Sequence, residues 1–402
     1  MRSLRPWAAA VGAVTLCLAT APAAWAAPGA PCDPQNQGVA NRTEPWGQQR
    51  LDFQKVWPLT RGRGVLIAEV DSGVDATHPQ LSGQVLPTVD LTHTRSADCN
   101  GHGTRVAGII VGRDLGGQGI AFTGVAPDAR LLPIKQTDGS DNDNGVPLLA
   151  QGIRTAADRG AKVVNVSITT SANVPRLAKA VRYAQAHDVV VVAAAGNEDS
   201  PGEQSGPKYP AEYPGVVSVA AIDEKGEHAS FAVAATRVSV AAPGVHVIST
   251  AAGPRHGYNI DDGTSFAAPF VAGVAALVRA YHPELNYQQV EHRIEVTADR
   301  STDPLLGFGV VNPYQAVTAV LPEESDATVA QPAPRAIPPV ATVGRGDSRV
   351  RTLALVCGGV AALLTLLIVC GAVVLPRGRR RNWRPGRRPQ PPGEAGTTPA
   401  VG

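Results

Sequence analysis

The sequence predicts an α/β fold whose central sheet is mostly parallel. The first observation is a set of short, almost wholly apolar segments, of which residues 65–70 and 189–194 are the clearest. The second is that segments of helical periodicity separate them along the chain. Strands without a polar face are typical of a parallel sheet buried on both sides, and the helices between them supply the crossover connections.

The elements follow one another between residues 46 and 320. We predict strands where short apolar runs are bounded by Gly, Pro or polar residues, and helices where apolar residues recur every three or four positions. In chain order these are strand 65–70, helix 106–111 after a Gly-rich loop, strand 131–134, helix 147–159, strand 162–166, helix 174–187, strands 189–194, 216–220 and 238–240, helix 265–281, and the more polar helix 287–298.

The N-terminus has the layout of a secretory signal peptide. Arg2 and Arg5 precede an apolar run at residues 8–20, and small residues continue through Ala26. This is the order of charged, apolar and cleavage regions in a signal peptide. We predict a signal peptide at residues 1–26, followed by an N-terminal extension at 27–45. An uncleaved anchor is the alternative, although the apolar run is short for a membrane span.

A second apolar segment, residues 352–375, predicts one C-terminal transmembrane helix. It contains no charged residue, and its length of about 36 Å as a helix is enough to cross a bilayer. The Pro-rich residues 321–351 read as a linker between this span and the body of the protein at residues 46–320.

The tail that follows the span, residues 376–402, predicts the orientation of the protein. Its first part, "PRGRRRNWRPGRR", carries seven arginines, and positive charge beside a span stays in the cytoplasm. The body is therefore predicted on the extracytoplasmic side of the cell membrane. Nucleic-acid binding by the tail is the alternative. The exported portion has 27 basic and 33 acidic residues, which does not favour a nucleic-acid partner.

Two of the five cysteines belong to the exported portion. Cys17 lies in the predicted signal, and Cys357 and Cys370 lie in the predicted span, which leaves Cys32 and Cys99. We predict a disulfide between them because exported thiols meet an oxidising compartment, with two free thiols as the alternative. Closing so long a loop would stabilise the fold by roughly 4 kcal/mol in the chain-entropy model.

Three polar residues lie where predicted strands end or helices begin, which is where reactive groups gather in open parallel sheets. Asp71 follows a strand, His102 lies between two glycines ahead of a helix, and Ser265 opens the small, apolar helix in "GTSFAAPFVAGVAAL". Taken singly, they also fit a turn former, a structural histidine and a helix N-cap. Together they supply a hydroxyl nucleophile, an imidazole base and a carboxylate to orient the base.

Asn197 follows the strand at residues 189–194 in the motif "AAGN". Gly-Asn is a common turn pair, which is the simpler interpretation. An amide donor at a strand end also suits an oxyanion hole, where it stabilises the charge of a tetrahedral intermediate.

Six motifs together resemble the subtilisin-like serine peptidases: "DSGVD", "GHGTRVAGII", "GVAPDARLLPIK", "AAGN", "APGVHVIST" and "GTSFAAPFVAGVAAL". The resemblance covers about residues 46–320 and implies a subtilisin-like three-layer fold. It implies that Asp71 orients His102, that His102 acts as general base and then general acid, and that Ser265 is the nucleophile. Asn197 and the Ser265 backbone N–H would form the oxyanion hole. The order Asp, His, Ser is that of subtilisin.

The layout of the whole chain resembles the mycosins, membrane-anchored subtilisin-like peptidases of type VII secretion systems. The shared features are a signal, an extension with a cysteine, "CNGHGT", a Pro-rich linker, one span and a basic tail. The resemblance implies a protein or peptide substrate and a type VII secretion membrane complex as partner. Three departures stand out: an extension too short for a folding pro-domain, no second cysteine pair in the body, and "NVSITT" where subtilisins have a Ser-Leu-Gly run.

No cofactor or metal is predicted from the residues. The sequence has no Cys/His cluster of zinc spacing and no phosphate-binding glycine motif. Calcium is implied only by family analogy, and "DGSDND" reads first as a solvated turn. Two functions remain: an active serine endopeptidase, or a mainly structural component of a secretion complex in which proteolysis is minor or dispensable.

Overall fold

The computed structural model of this chain describes residues 32, 34, 36–39, 42–94, 97–138, 145–198 and 206–325. The chain divides into two units, Met1–Val340 and Ala341–Gly402, and every described residue lies in the first. The predicted signal peptide, transmembrane helix and cytoplasmic tail lie outside the described residues, as does most of the predicted linker. They stay predictions.

The core of the fold is a seven-stranded sheet in which every pairing is parallel. Its strands are β1 Leu66–Asp71, β2 Val89–Asp90, β3 Arg130–Lys135, β4 Val163–Val166, β5 Val190–Ala194, β6 Val216–Ile222 and β7 Val240–Pro243, in the order β2-β3-β1-β4-β5-β6-β7. β8 Val247–Thr250 and β9 Tyr258–Asp261 form a separate antiparallel pair. The predicted α/β class with a mostly parallel sheet is confirmed.

The helices of the described part are α1 Trp46–Leu51, α2 His102–Val111, α3 Gly145–Asp158, α4 Pro175–Ala186, α5 Thr264–Tyr281, α6 Tyr287–Val296, α7 Pro313–Thr318 and α8 Pro322–Ser325. Short 3₁₀ helices occur at Phe53–Val56, Gly116–Gln118 and Pro304–Leu306. The five predicted helices are all present. The sequence prediction missed α1, α7, α8, the two-residue β2 and the β8–β9 pair.

Helices cover both faces of the sheet, which gives three layers. On one face α2 and α5 pack over the central strands, and alternate strand residues such as Ile67 and Val163 join that core. On the other face α3 and α4 pack against each other and the sheet, where Val70 and Val164 point. Neighbouring residues of one strand thus belong to opposite cores, as the two-residue period of a strand requires.

α5 lies at the centre of the first layer and contacts β4, β5, β6, β7 and α2. Sixteen of its eighteen residues are buried, and small side chains let it approach its neighbours closely. A Cβ on Gly273 would lie 2.5 Å from Val125 Cβ. In the described part of the chain α5 is also the helix long and apolar enough to cross a membrane, but its burial identifies it as a core helix.

Candidate active site

Asp71 is the last residue of β1, and its side chain is 1% exposed. Its Oδ1 accepts hydrogen bonds from His102 Nδ1 at 2.7 Å and from the Ser72 backbone N–H at 2.7 Å. Because an ionised carboxylate only accepts, the Nδ1 atom of His102 carries the proton, which leaves Nε2 as the acceptor of a neutral ring. The structure therefore brings the predicted carboxylate and imidazole together in the orientation that a general base requires.

His102 is the first residue of α2, four residues earlier than the predicted start of that helix. The missed signal is Asp98, a buried carboxylate that accepts from the Gly101 N–H at 2.7 Å and the Thr104 N–H at 2.8 Å. It also accepts from the hydroxyls of Thr104 and Ser72. These contacts satisfy backbone donors at the helix start. An acidic residue just ahead of a helix is a recognisable start signal.

Close packing around His102 requires a glycine beside it. A Cβ on Gly103 would lie 2.1 Å from the Gly73 carbonyl oxygen, and Gly101 has φ +80°. Both glycines therefore allow the backbone conformation and the close packing that place His102 against the end of β1.

The pKa of His102 reflects opposing influences. Burial lowers it, whereas the charge and hydrogen bond of Asp71 raise it, and the result is a pKa above its ordinary value. The nearby Arg105 opposes that increase. The side chain remains 21% exposed, so solvent and substrate can reach the ring.

Ser265 is the second residue of α5 and is 9% exposed. A Cβ on Gly263 would lie 2.9 Å from Ser265 Oγ and 3.4 Å from Asn197 Nδ2, so the hydroxyl and the amide flank one small space. The adjacent Phe266 ring lies 5.2 Å from the His102 ring, centroid to centroid. In the described part of the chain no hydrogen bond joins Ser265 Oγ to His102, which is common where no substrate is bound.

The Asn197 amide has its orientation fixed by Thr264. Its Oδ1 accepts from both the backbone N–H and the hydroxyl of Thr264, each at 3.0 Å. The hydroxyl of Thr264 in turn accepts from the Gly196 N–H at 3.1 Å. With its oxygen engaged in this way, Asn197 turns its Nδ2 donor toward Gly263 and Ser265.

Pro269 explains an unusual contact of the Ser265 carbonyl. A helix normally satisfies a carbonyl with the N–H four residues later, but that residue is Pro269, which has no N–H. Ser167 Oγ donates to this carbonyl instead, at 2.9 Å, and itself accepts from Asn165 Nδ2 at 2.9 Å. Ser167 therefore supports the backbone of Ser265, a role that the sequence analysis missed when it noted "NVSITT" only as a departure from subtilisins.

Cys32 and Cys99 are paired, with Cα atoms 4.8 Å apart. The described residues of the extension then run beside β9. Gln37 N–H donates to Asn259 Oδ1 at 2.7 Å, and Val39 N–H donates to the Tyr258 carbonyl at 3.0 Å. The extension is thus fastened next to the loop that carries Asp98 and His102.

The described residues contain no group of three or more His, Cys, Asp or Glu side chains placed to hold a metal ion. Most of the acidic loop "DGSDND" lies outside those residues, so the implied calcium site stays untested.

Comparison with known proteins gives the class to which this fold and site belong. Residues 62–312 match the subtilase family of peptidases, Peptidase S8. The chain is 39% identical over 278 residues to the thermophilic serine proteinase of Bacillus sp. strain AK1, covering 68% of this chain and 67% of that protein. The chain therefore belongs to the subtilase family of serine proteases.

Within that family the chain is similar to mycosins. It is 36% identical over 361 residues to Mycosin-4 of Mycobacterium tuberculosis, covering 79% of this chain and 78% of that protein. The solved structure of the MycP3 protease from the type VII (ESX-3) secretion system matches with a TM-score of 0.63 and 33% identity, covering 71% of this chain and 91% of that one. The resemblance to mycosins is confirmed.

Proposed function

We propose that this protein is a membrane-anchored serine endopeptidase in which Asp71, His102 and Ser265 form the catalytic triad. The observation that carries the proposal is the 2.7 Å bond between His102 Nδ1 and Asp71 Oδ1. Ser265 Oγ and Asn197 Nδ2 flank a space beside Phe266, whose ring lies 5.2 Å from the His102 ring. Membership of a serine protease family supports the same assignment.

The proposed reaction begins at the Ser265 hydroxyl. His102 Nε2 takes its proton as Oγ attacks the substrate carbonyl, and Asp71 holds the resulting imidazolium by its bond to Nδ1. The oxyanion that forms accepts hydrogen bonds from Asn197 Nδ2 and the Ser265 backbone N–H. His102 then protonates the leaving amine, and water hydrolyses the acyl-enzyme by the same proton transfers in reverse.

A fluorophosphonate probe tests the nucleophile. Wild type is expected to form a covalent adduct, and Ser265→Ala is expected to form none, because the proposed nucleophilic hydroxyl has been removed. Ser218→Ala is a matched control, since it removes another buried serine hydroxyl that is not the proposed nucleophile, and it should still be labelled. Equal labelling of wild type and Ser265→Ala would refute the assignment.

We further propose that the enzyme works at the outer face of the cytoplasmic membrane as part of a type VII secretion complex. The similarity to Mycosin-4 over 79% of the chain and to the MycP3 protease supports this, as does the predicted layout of signal, span and basic tail. Its substrate would be a protein or peptide near the secretion channel.

The second candidate function is a structural role in that complex. It is favoured by the N-terminal extension, which the Cys32–Cys99 disulfide and the hydrogen bond from Gln37 to Asn259 attach to the body. The extension adds surface beside the site and has no part in the proposed reaction. The two functions can be separated by measuring secretion in three strains. One lacks the protein, one carries wild type, and one carries Ser265→Ala. We expect the variant to lose substrate processing. If secretion also fails in the variant, proteolysis is required for it; if secretion persists, the required role is structural.

A further inference from the structure

A buried carboxyl that the proposed mechanism does not use lies directly below the site. Glu69 is in β1, two residues before Asp71, and is 0% exposed. Neither of its carboxyl oxygens has a hydrogen-bond partner among the residues that the structure describes. A carboxyl in this state is costly to bury, most of all if it is ionised.

The Glu69 side chain leans toward the catalytic end of β1. It shares a face with Ile67 and Asp71, because side chains two apart on a strand point the same way, and Ile67 belongs to the core under α2. A Cβ on Gly103 would lie 3.0 Å from Glu69 Oε1 and 2.1 Å from the carbonyl oxygen of Gly73. The carboxyl therefore reaches the level of the residues that follow Asp71.

The catalytic carboxylate has an unused oxygen in the same region. Asp71 Oδ1 accepts two hydrogen bonds, but Asp71 Oδ2 is buried and has no partner in the described part of the chain. Asp98, the other buried acid nearby, already accepts from four donors. On the same face of β1, two residues apart, the structure thus places an acid without an acceptor and a carboxylate with one oxygen that lacks a donor among the described residues.

The surrounding charges favour a neutral Glu69. Burial raises its pKa well above the usual value, and the charges of Asp71 and Asp98 raise it further. The cations that face this region have other partners: Arg105 of α2 lies 3.1 Å from Asp261 of β9.

The remaining neighbours do not change that conclusion. Lys135 of β3 lies 2.5 Å from Asp138 and donates to the carbonyl of Ala97. His102 is hydrogen-bonded to Asp71. The residue that pairs with Glu69 on β4 is Asn165, which carries no charge.

We propose that Glu69 is a neutral carboxylic acid whose O–H donates to Asp71 Oδ2, which makes it a positioning residue for the catalytic carboxylate. The inference rests on the proposed role of Asp71. A bond from a neutral acid to a carboxylate is short and strong and adds no charge to the site. It holds Asp71 in place and spreads its negative charge, so that Asp71 stabilises the His102 imidazolium less than an unassisted carboxylate would.

The pH dependence of kcat/KM tests this proposal, measured with a fluorogenic peptide on the full chain in detergent. In Glu69→Met the donor is lost at nearly unchanged side-chain length. We expect the acid limb, which reports His102, to move up by about one pH unit. We also expect kcat to fall about tenfold, because Asp71 is no longer held in place against His102. KM should change little.

Glu69→Gln is the matched control, because it stays neutral, keeps the length and still donates. Its pH profile is expected to superimpose on that of wild type. A fall of the acid limb in Glu69→Gln would mean that a negative charge had been removed, and this would overturn the proposal. So would a wild-type profile in Glu69→Met.

Infrared spectroscopy keeps the proposal testable if Glu69→Met does not fold. The difference spectrum between wild type and Glu69→Gln at neutral pH is expected to contain the carbonyl stretch of one protonated carboxylic acid. Its absence would overturn the proposal. This readout does not require turnover, so it is separate from the proposed function, which fails if wild type does not react with the fluorophosphonate probe.

Discussion

The carbonyl of Ser265 allows the contribution of one side chain to be calculated from the structure. Ser167→Ala removes the donor at 2.9 Å, and Pro269 cannot replace it because it lacks an N–H. Asn165 Nδ2 loses its acceptor in the same variant. Leaving a buried polar group unsatisfied costs about 1–3 kcal/mol, so we expect Ser167→Ala to lower the free energy of unfolding by about 2–3 kcal/mol.

A double-mutant cycle isolates the cause. Pro269→Ala restores a backbone N–H that can reach the Ser265 carbonyl within the helix. In that background Ser167→Ala should cost only about 1 kcal/mol, which gives a coupling energy of at least about 1 kcal/mol between the two positions. The control is Ser218→Ala on β6, since Ser218 is 0% exposed and its hydroxyl has no hydrogen-bond partner within the described ranges. That variant should be nearly neutral or stabilising.

Equilibrium urea unfolding of the exported portion, followed by tryptophan fluorescence, measures all five proteins at one pH. Two results would refute the reasoning. One is a cost of Ser167→Ala no larger than that of the Ser218→Ala control. The other is strict additivity in the cycle, which would mean that the missing N–H of Pro269 has no bearing on the hydroxyl contact.

Three further predictions concern the amide, the disulfide and a buried histidine. Asn197→Ala is expected to lower kcat about 10²- to 10³-fold with little change in KM, and an unchanged kcat would contradict its role as oxyanion donor. Mass spectrometry after alkylation without reductant should find Cys32 and Cys99 unmodified in the exported protein, and modification of both would rule out the disulfide. Burial lowers the pKa of His78 to about 4, so the fold favours its neutral form and loses stability as the pH falls from about 6.5 to about 4, by roughly 3 kcal/mol. The unfolding free energy of wild type minus that of His78→Gln should show this decline, and a constant difference across that range would contradict it.

The sequence predicted the sheet well because buried parallel strands leave a simple signal. The strand at 189–194 is wholly apolar and is found as Val190–Ala194. The antiparallel pair was missed because "YNID" in β9 is neither an apolar run nor a regular alternation of apolar and polar residues. The start of α2 was misplaced by four residues because its first turn contains glycine and is completed by Asp98 from outside the helix. The contact is local in the chain, but the spacing of apolar residues carries no information about it.

The candidate site divides in the same way. Asp71 and His102 were identified because a carboxylate directly after an apolar strand and a histidine between two glycines ahead of a helix are local patterns. The structure brings His102 Nδ1 and Asp71 Oδ1 to 2.7 Å. Ser167 and Glu69 were not identified. The role of Ser167 depends on a carbonyl 98 residues away in the chain. The carboxyl of Glu69 differs from a solvated one only by its burial.

The side chains that accept hydrogen bonds from the first backbone N–H groups of α2 and α5 also determine where the proposed reactive side chains lie. The backbone donors at a helix start have no partner within the helix. Asp98 satisfies those of α2, which begins with His102, and Asn197 accepts from Thr264, which begins α5. Because Asn197 uses its oxygen for this purpose, its amide hydrogens are directed at the space beside Ser265. We therefore expect stability and activity to be coupled at these positions, because a substitution that removes a helix-start acceptor also displaces a proposed catalytic group.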